Sequence, residues 1–578
     1  GKPIARDPLV QGFLKAAVAE RATLKRHIHR KGIAGYSNDL PRVLASFVTS
    51  SARATSSNYH SAEMLRLAND VQAGDVKDEA IKLVRYLQDP QEEAHTIRAF
   101  LFAQFLGGSI AHGLVNMTQP FMVTIHYLSQ HTTAADAAAK VAQAAGVKVS
   151  SLTGRIRDAY ERAKADGIVA PQEIHQLRAE TGGMPLGRSV AMRKLSFAWG
   201  AIYSITEQFN RTTSFIAAYR IAEEKGIANP YAFAKQAVEQ TQFVYNKGAR
   251  PNWARGPIGA TVFTFKQFSI SYLELAKRLY DFKDANGKPN RKAFALMVLM
   301  LVAAAGIEGL PFAEDLEDLI DTIGQWMGYA TNSKKKLRTW ATAMVGADFA
   351  QFALHGISGL SWMPVDVSVR MGLQNLIPGT AMLKPSEKNK ARDVLELAGP
   401  VGQFVPTEGT MMGRALERLS QSDYFGALKA GTPVAVQNVL KGYEMAETGE
   451  ARDTKGKKIG PVTAGEALFK MAGLQPASVA RESRRVGEVM DDVNMQRHTE
   501  SEIAEQWARG LVDSKPAEVR AAMKKMHDWN RDNPELRVRI NMEQIRRRVR
   551  EMRRPREERI IRAAPPEIRG GVREALRQ

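Results

Sequence analysis

Glu207 is the side chain whose setting could support acid catalysis. It lies in the stretch 206–224, TEQFNRTTSFIAAYRIAEE, where apolar residues recur at helical spacing. A single carboxyl group in an apolar pocket suffices as the general acid of some glycosidases. Its neighbours Gln208 and Asn210 complete no peptidoglycan-lyase signature. A lytic transglycosylase-like enzyme that uses Glu207 is therefore one hypothesis.

The alternative for the same stretch is structural. Residues three or four apart share a face of a helix, so the sequence separates into a polar face and an inward apolar face. The polar face comprises Glu207, Asn210 and Arg211, and the apolar face comprises Phe209, Phe215 and Tyr219. Under this interpretation Glu207 stabilises the fold and takes no part in a reaction.

The residue types and motifs of the sequence do not support any other kind of catalytic centre. The chain has no cysteine, which excludes disulfides, thiolate metal sites, thiol nucleophiles and iron–sulfur clusters. Its eleven histidines are scattered, and the sequence contains no HExxH, GxxxxGK[ST] or GxSxG motif. We therefore expect a protein that is not an enzyme and that has no metal and no cofactor.

The segment 545–578 is rich in arginine. It contains twelve Arg and five Glu, a local charge of +7 within a net charge of +20 for 578 residues. Arginine makes multidentate contacts with phosphate, and such contacts are salt-sensitive and independent of base sequence. Candidate residues for binding double-stranded DNA are Arg546, Arg547, Arg548, Arg550, Arg553 and Arg554. The alternative is a solvated helix face with the ion pairs Arg547–Glu551 and Arg554–Glu558.

The elements that must position these residues are helices. Alternating strand patterns are scarce, apolar residues recur three and four apart, and Gly and Pro mark the ends of segments of about 12 to 25 residues. No fixed-period repeat appears. We predict an all-α fold, an irregular assembly of several packed helical subdomains without a substantial sheet. The predicted regions are 1–180, 185–290, 291–385, 386–500 and a basic tail, 501–578.

Three segments with few or no charged residues, 99–135, 293–307 and 344–365, stand out. A membrane-spanning helix needs about 20 apolar residues, so 293–307 suffices only if it extends to residue 312. The alternative is a buried helix of a large bundle. Candidate residues for contact with a membrane or with another subunit are Phe294, Leu296, Val298, Leu299, Leu301 and Val302.

Several short patterns occur in a characteristic order. They begin with Glu207-x-x-Asn210-Arg211-x-x-x-Phe215-x-x-Ala218-Tyr219, the basic loop 246–255 and Phe265-Lys266-Gln267-Phe268, and continue through 355–357, 366–372, 427–449, 463–476 and 529–534. In this order the chain resembles the large internal virion proteins of short-tailed bacteriophages, of the PLxRFG or large polyvalent type. The name motif is matched by Pro185, Leu186 and Arg188 only.

The resemblance implies a structural DNA-ejection protein and the non-catalytic, C-terminal part of a longer protein. Such proteins lie inside the capsid near the portal and are released into the host envelope, where they form an oligomeric conduit for the genome. The implied partners are other ejection or core proteins, the portal, double-stranded DNA, the host membrane and further copies of the chain. The alternative is a capsid-interior scaffold that docks on the portal and never enters a membrane.

Overall fold

The structure of the protein is a computed structural model. It describes residues 40–72, 74–88, 93–170, 190–243, 248, 250–263, 266–283, 287–310, 342–344, 346–371, 402, 404, 410–453, 456–555, 558, 560 and 569–575. Over these residues the fold is all-α, and its strands form only two short pairs. The predicted fold class is confirmed.

Helices make up most of the described chain as far as residue 305. In chain order they are α1 (Leu40–Asp70), α2 (Asp75–Gln88), α3 (His95–Phe105), α4 (Ile110–Met117), α5 (Ile125–Leu128), α6 (Ala134–Ala145), α7 (Arg155–Ala165), α8 (Val190–Glu224), α9 (Pro230–Thr241), α10 (Gly256–Phe263), α11 (Gln267–Asp281) and α12 (Lys292–Ala305). A π-helical turn, Pro120–Thr124, joins α4 to α5.

The remaining elements include the four strands. They are α13 (Ala347–His355), β1 (Val365–Asp366), α14 (Ser368–Met371), α15 (Met411–Ser420), α16 (Tyr424–Gly431), α17 (Val434–Thr448), β2 (Glu450–Arg452), β3 (Lys458–Pro461), α18 (Ala464–Met471), β4 (Gln475–Pro476), α19 (Ala477–Val512), α20 (Pro516–Asp532), α21 (Met542–Met552) and α22 (Arg569–Ala575). Strand β1 pairs antiparallel with β4, and β2 pairs with β3.

The chain divides into two compact units. The larger unit comprises Gly1–Leu319, Lys334–Ala451 and Pro461–Ala477, and the C-terminal unit comprises Ile320–Ser333, Arg452–Gly460 and Ser478–Gln578. The five regions predicted from the sequence stay predictions.

Helix α8 lies at the centre of the larger unit, where it packs against α4, α6 and α9. The four consecutive residues Phe215, Ile216, Ala217 and Ala218 are all fully buried. Consecutive buried residues point in every direction around a helix, so α8 has core on all sides at this level. A one-sided amphipathic helix was the expectation for this stretch, and the structure corrects it.

Residues 293–305 of the apolar run lie in α12, which contributes one face to the same core. Its buried residues are Ala293, Met297, Leu301, Ala304 and Ala305. Phe294 and Leu296 pack partly buried against the core, Val302 is half-buried, and Val298 and Leu299 are exposed. With 14 residues, α12 is about 21 Å long, whereas the hydrocarbon layer of a bilayer is about 30 Å thick. No helix among the described residues is long and apolar enough to cross a membrane.

The end of α12 crosses the end of α13 with backbone against backbone. A methyl group placed on Gly306 would overlap the carbonyl group of Leu354, and one placed on Gly356 would lie 2.5 Å from the carbonyl carbon of Ala304. Only residues without a side chain permit so close an approach. The pattern His355-Gly356-Ile357 therefore lies at a helix crossing that fixes the apolar helix in the core.

The C-terminal unit has a small core of its own. Ile503, Ala522, Trp529 and Val538 are buried in it, and Met526 and Ile540 pack around them. These residues come from α19, α20 and the extended segment that leads to α21, so α20 holds this extended segment against the unit.

Candidate nucleic-acid interface

The arginine-rich helix α21 is anchored to the C-terminal unit by its apolar side. Asn541 caps its first turn by accepting a hydrogen bond from the backbone N–H of Glu543 at 3.0 Å. Ile545 is fully buried, and Val549 and Met552, four and seven residues later, lie half-buried on the same side. The opposite side of the helix therefore faces solvent.

The six candidate arginines divide into two groups around this helix. Arg546, Arg547, Arg550 and Arg553 are exposed, whereas Arg548 and Arg554 are half-buried. Arg546, Arg550 and Arg553 follow the spacing i, i+4, i+7, so they form a stripe that extends over roughly 10 Å. We call these three residues the arginine stripe.

The two half-buried arginines have partners within the protein. Arg548 donates a hydrogen bond to Ser501 Oγ at 2.8 Å. Arg554 lies 3.6 Å from the Glu551 carboxylate and 3.9 Å from that of Glu558. The predicted pair Arg554–Glu558 is therefore present, whereas Arg547 makes no ion pair with Glu551 or with any other described carboxylate.

The arginine stripe has no acidic partner among the residues that the structure describes. Some other exposed arginines of the chain do have one. Arg509, for example, pairs with Glu505 at 2.8 Å, and Arg66 pairs with Glu63 at 2.7 Å. Cations without an internal partner keep their donors available for an external anion.

Two further exposed arginines, which the sequence-based candidates did not include, precede α21. In the extended segment after Asn533, Val538 is buried whereas Arg537 and Arg539 are exposed. The side chains of Arg537 and Arg539 therefore lie on the solvent side of the segment, while Val538 between them packs inward. The sequence signal that could have identified them is the alternation of apolar residues and arginines over 536–540.

Hydrogen bonds from α20 hold this segment in place. The Asn530 side chain donates to the carbonyl oxygen of Val538 at 3.1 Å and accepts from the N–H of Val538 at 2.7 Å. Trp529 Nε1 donates to the carbonyl oxygen of Leu536 at 2.8 Å. The pattern 529–534 thus positions Arg537 and Arg539 beside the basic helix.

Glu207 occupies a different setting from the one that a general acid requires. The residue is 6% exposed, and its carboxylate accepts a hydrogen bond from Arg211 Nε at 3.0 Å. Arg211 also donates to the carbonyl oxygen of Phe243 at 3.1 Å. Glu207 and Arg211 thus form a buried ion pair, which the bond to Phe243 joins to the segment that follows α9.

The polar face of α8 continues beyond this ion pair. Asn210 donates to the carbonyl oxygen of Asn116 at 2.8 Å, and Ser214 exchanges a hydrogen bond with Thr124 of the π-helical turn at 2.8 Å. Gln242 donates to Ser214 Oγ at 2.9 Å. The polar face is therefore buried against other polar groups of the larger unit.

The aromatic candidates of the recurring pattern lie in or beside the core. Phe215 is fully buried and stacks on Tyr219, with ring centroids 6.1 Å apart. Phe268, on α11, meets Phe243 edge-on at 5.6 Å. Phe265 lies outside the described residues. These residues support packing and do not converge on a common pocket.

Neither the search for a metal site among the described residues nor the comparison with known proteins identifies a further functional site. Among the described residues, no group of three or more His, Asp or Glu side chains could hold a metal ion. No protein-family model, no curated protein and no solved structure matches this chain.

Proposed function

We propose that this chain is a structural internal virion protein of the DNA-ejection class, which binds double-stranded DNA through the arginine stripe and its neighbours. The observation that carries the proposal is the exposure of Arg546, Arg550 and Arg553 on an anchored helix, without acidic partners among the described residues. Contacts of this kind bind phosphates and leave the bases unread.

The geometry suits a partner whose charge repeats along its length. Duplex DNA carries one negative charge per about 1.7 Å of axis, so a stripe of cations finds phosphates in any register. Binding without a fixed register is what a protein needs when DNA must slide past it. In this role the chain acts with other copies of itself and with other core proteins at the portal, first inside the virion and then in the host envelope.

DNA affinity measured against salt concentration tests this proposal. The test variant replaces the arginine stripe by glutamine (R546Q/R550Q/R553Q). The control R66Q/R509Q/R531Q loses the same charge from exposed arginines that pair with carboxylates. Release of counterions gives a slope of log K against log salt of about −0.9 per phosphate contact.

We expect the slope of the test variant to be shallower by about 2.7, the contribution of three contacts, and that of the control to stay near the wild-type value. Equal slopes for the two variants would show that net charge alone drives binding and would refute the role of the stripe. Duplexes of unrelated sequence are expected to bind with equal affinity.

A second candidate function is that of a capsid-interior core protein that docks on the portal without entering a membrane. The packing of α12 favours it, because Met297, Leu301 and Ala305 are buried in the protein core. Insertion of α12 into lipid would require these side chains to leave that core.

Flotation of the folded chain with liposomes separates the two candidates. Leu299 is 64% exposed, so Leu299→Lys is expected to leave the fold intact while placing a charge on the apolar surface. Flotation that is lost in this variant supports membrane contact through α12. A wild-type chain that does not float supports the core protein.

A further inference from the structure

A second group of cations lies in the larger unit, around the turn that follows α18. Lys470 Nζ donates to Gln475 Oε1 at 2.9 Å, and Arg370 Nη2 donates to the carbonyl oxygen of Gly473 at 2.6 Å. The pairing of β1 with β4 brings the two segments together, although they are about 100 residues apart in the sequence. Both cations thus meet at one short turn, where the described residues offer them neutral oxygens as acceptors.

A third cation, Lys441, comes from α17. The next residue, Gly442, packs directly on α18, where a methyl group on it would lie 2.7 Å from the backbone nitrogen of Met471. This close packing of α17 on α18 brings Lys441 near Lys470. We call Arg370, Lys441 and Lys470 the cation cluster.

The cations of the cluster form no ion pair with an acid among the described residues. Glu444, which follows Lys441 on α17, pairs with Lys429. Burial and the charges of Lys429 and Arg414 lower the pKa of Lys441, and the charge of Glu444 raises it, so Glu444 balances these cations only in part. All three side chains are half-buried. Like charges held together away from water are unfavourable, so the fold bears a cost that an anion would remove.

The pKa values of these groups reflect that cost. Burial, and next the charges of Lys441 and Arg370, lower the pKa of Lys470 to about 8. Burial also lowers the pKa of Arg370. Burial together with the charge of Arg370 lowers the pKa of His112 to about 4, so His112 is neutral at pH 7 and adds no charge.

A cavity lies beside the same turn, because it is lined by Gly473, whose carbonyl oxygen accepts from Arg370, and by Met471, which follows Lys470. Its volume is about 210 Å³, and it is lined mainly by apolar side chains such as Ile110, Val439 and Met471. Asn438 is 7% exposed and also lines this cavity, and its side-chain Nδ2 has no hydrogen-bond partner in the part of the chain described. An unused buried donor favours an acceptor atom on a bound molecule.

We infer that the larger unit binds a small phosphate-bearing molecule, with its phosphate on the cation cluster and its attached organic part in the adjoining cavity. Arginine and lysine together are common ligands of phosphate, and a dianion would neutralise charges that the fold leaves unbalanced. This site lies in the larger unit, and it is independent of the arginine stripe and of the proposed DNA binding.

Calorimetric titration with inorganic pyrophosphate tests the site on the full chain. The test variant is Lys470→Gln. The control is Lys148→Gln, which removes an exposed lysine that has no ion pair among the described residues. Wild type and control are expected to bind pyrophosphate saturably with one site per chain, and the test variant at least tenfold more weakly.

Lys470→Gln is informative because weaker pyrophosphate binding in this variant is not expected to result from unfolding. Removing a buried ammonium that has no acidic partner relieves an unfavourable charge, so Lys470→Gln is expected to unfold at the wild-type temperature or above it. A second variant, Arg370→Gln, is expected to weaken pyrophosphate binding as well. Non-saturable binding, or equal weakening in Lys148→Gln, would overturn the inference.

A second measurement distinguishes a lipid phosphate from a soluble phosphate compound. Vesicles of phosphatidylcholine with and without phosphatidic acid are mixed with the chain and then challenged with pyrophosphate. Binding that needs phosphatidic acid and is displaced by pyrophosphate assigns a lipid phosphate to the site. Pyrophosphate binding without vesicle binding assigns a soluble phosphate compound. Unchanged DNA affinity of Lys470→Gln is expected, because the arginine stripe is intact in that variant.

Discussion

Replacing Gly306 by alanine is expected to loosen the attachment of α12 to the core. Gly306 ends α12 with φ 80° and ψ 179°, a conformation that is essentially restricted to glycine. It also lies against the backbone of α13, where an added methyl group would overlap the carbonyl group of Leu354. The substitution therefore has two separate costs, strain of the backbone and steric overlap with a neighbouring helix.

Gly346 provides a matched control that isolates the second cost. It has nearly the same backbone conformation, φ 83° and ψ 162°, but an added methyl group would meet no atom of the described residues within 4 Å. Strain of this kind costs about 1–3 kcal/mol, and overpacking in a core adds about 1–3 kcal/mol. We expect the free energy of unfolding to fall by about 1–3 kcal/mol in Gly346→Ala and by about 2–6 kcal/mol in Gly306→Ala.

Urea unfolding followed by far-ultraviolet circular dichroism measures both losses. If the dependence on urea is unchanged, the shift in midpoint gives the difference in free energy between the variants. The reasoning predicts a lower midpoint for Gly306→Ala than for Gly346→Ala. Equal midpoints would refute the backbone contact between α12 and α13, because strain alone would then account for both substitutions.

Three further predictions concern the buried ion pair, the cation cluster and the C-terminal unit. Arg211→Met leaves the Glu207 carboxylate buried without its guanidinium partner and is expected to lower the free energy of unfolding in urea by about 3–5 kcal/mol. The double variant E207Q/R211M is expected to lose less than Arg211→Met alone, because no unpaired charge stays buried. A double variant whose loss equals the sum of the two single losses would contradict this. Lys470 has a folded pKa near 8 and an unfolded value of about 10.4, so the unfolded state binds more protons between these values, and stability there rises with pH by about 2–3 kcal/mol. The urea midpoint should change less with pH over this range in Lys470→Met than in the wild type. Asn530→Ala removes both hydrogen bonds to Val538 and should lower hydrogen-exchange protection of that amide, with no change at Ala522.

Local spacing in the sequence was sufficient to predict the all-α fold, but not the lengths of the helices, since α8 has 35 residues and α19 has 36 where about 12 to 25 were expected. It could not predict which arginines are available for binding. Arg548 and Arg550 are two residues apart in the same run, yet the first bonds to Ser501 and the second is exposed. The difference depends on where α21 rests on α19, and therefore on residues distant in the sequence.

The cation cluster illustrates the same limit more strongly. Arg370, Lys441 and Lys470 are each unremarkable in their own stretch of sequence, with no shared motif. They meet because β1 pairs with β4 and because α17 packs on α18 through a glycine. Pairings of this kind are long-range contacts, which carry no local periodic signal.

The sequence by itself determined an all-α chain, its positive charge and the absence of cysteine chemistry, because composition and helical spacing are local properties. Only the tertiary structure decided the roles of particular side chains. It placed Glu207 in a buried ion pair, set the apolar helix α12 against the core and left Arg546, Arg547, Arg550 and Arg553 exposed without acidic partners among the described residues. Burial and pairing depend on neighbours that folding brings together from far along the chain, and those neighbours set the free energy of each charge.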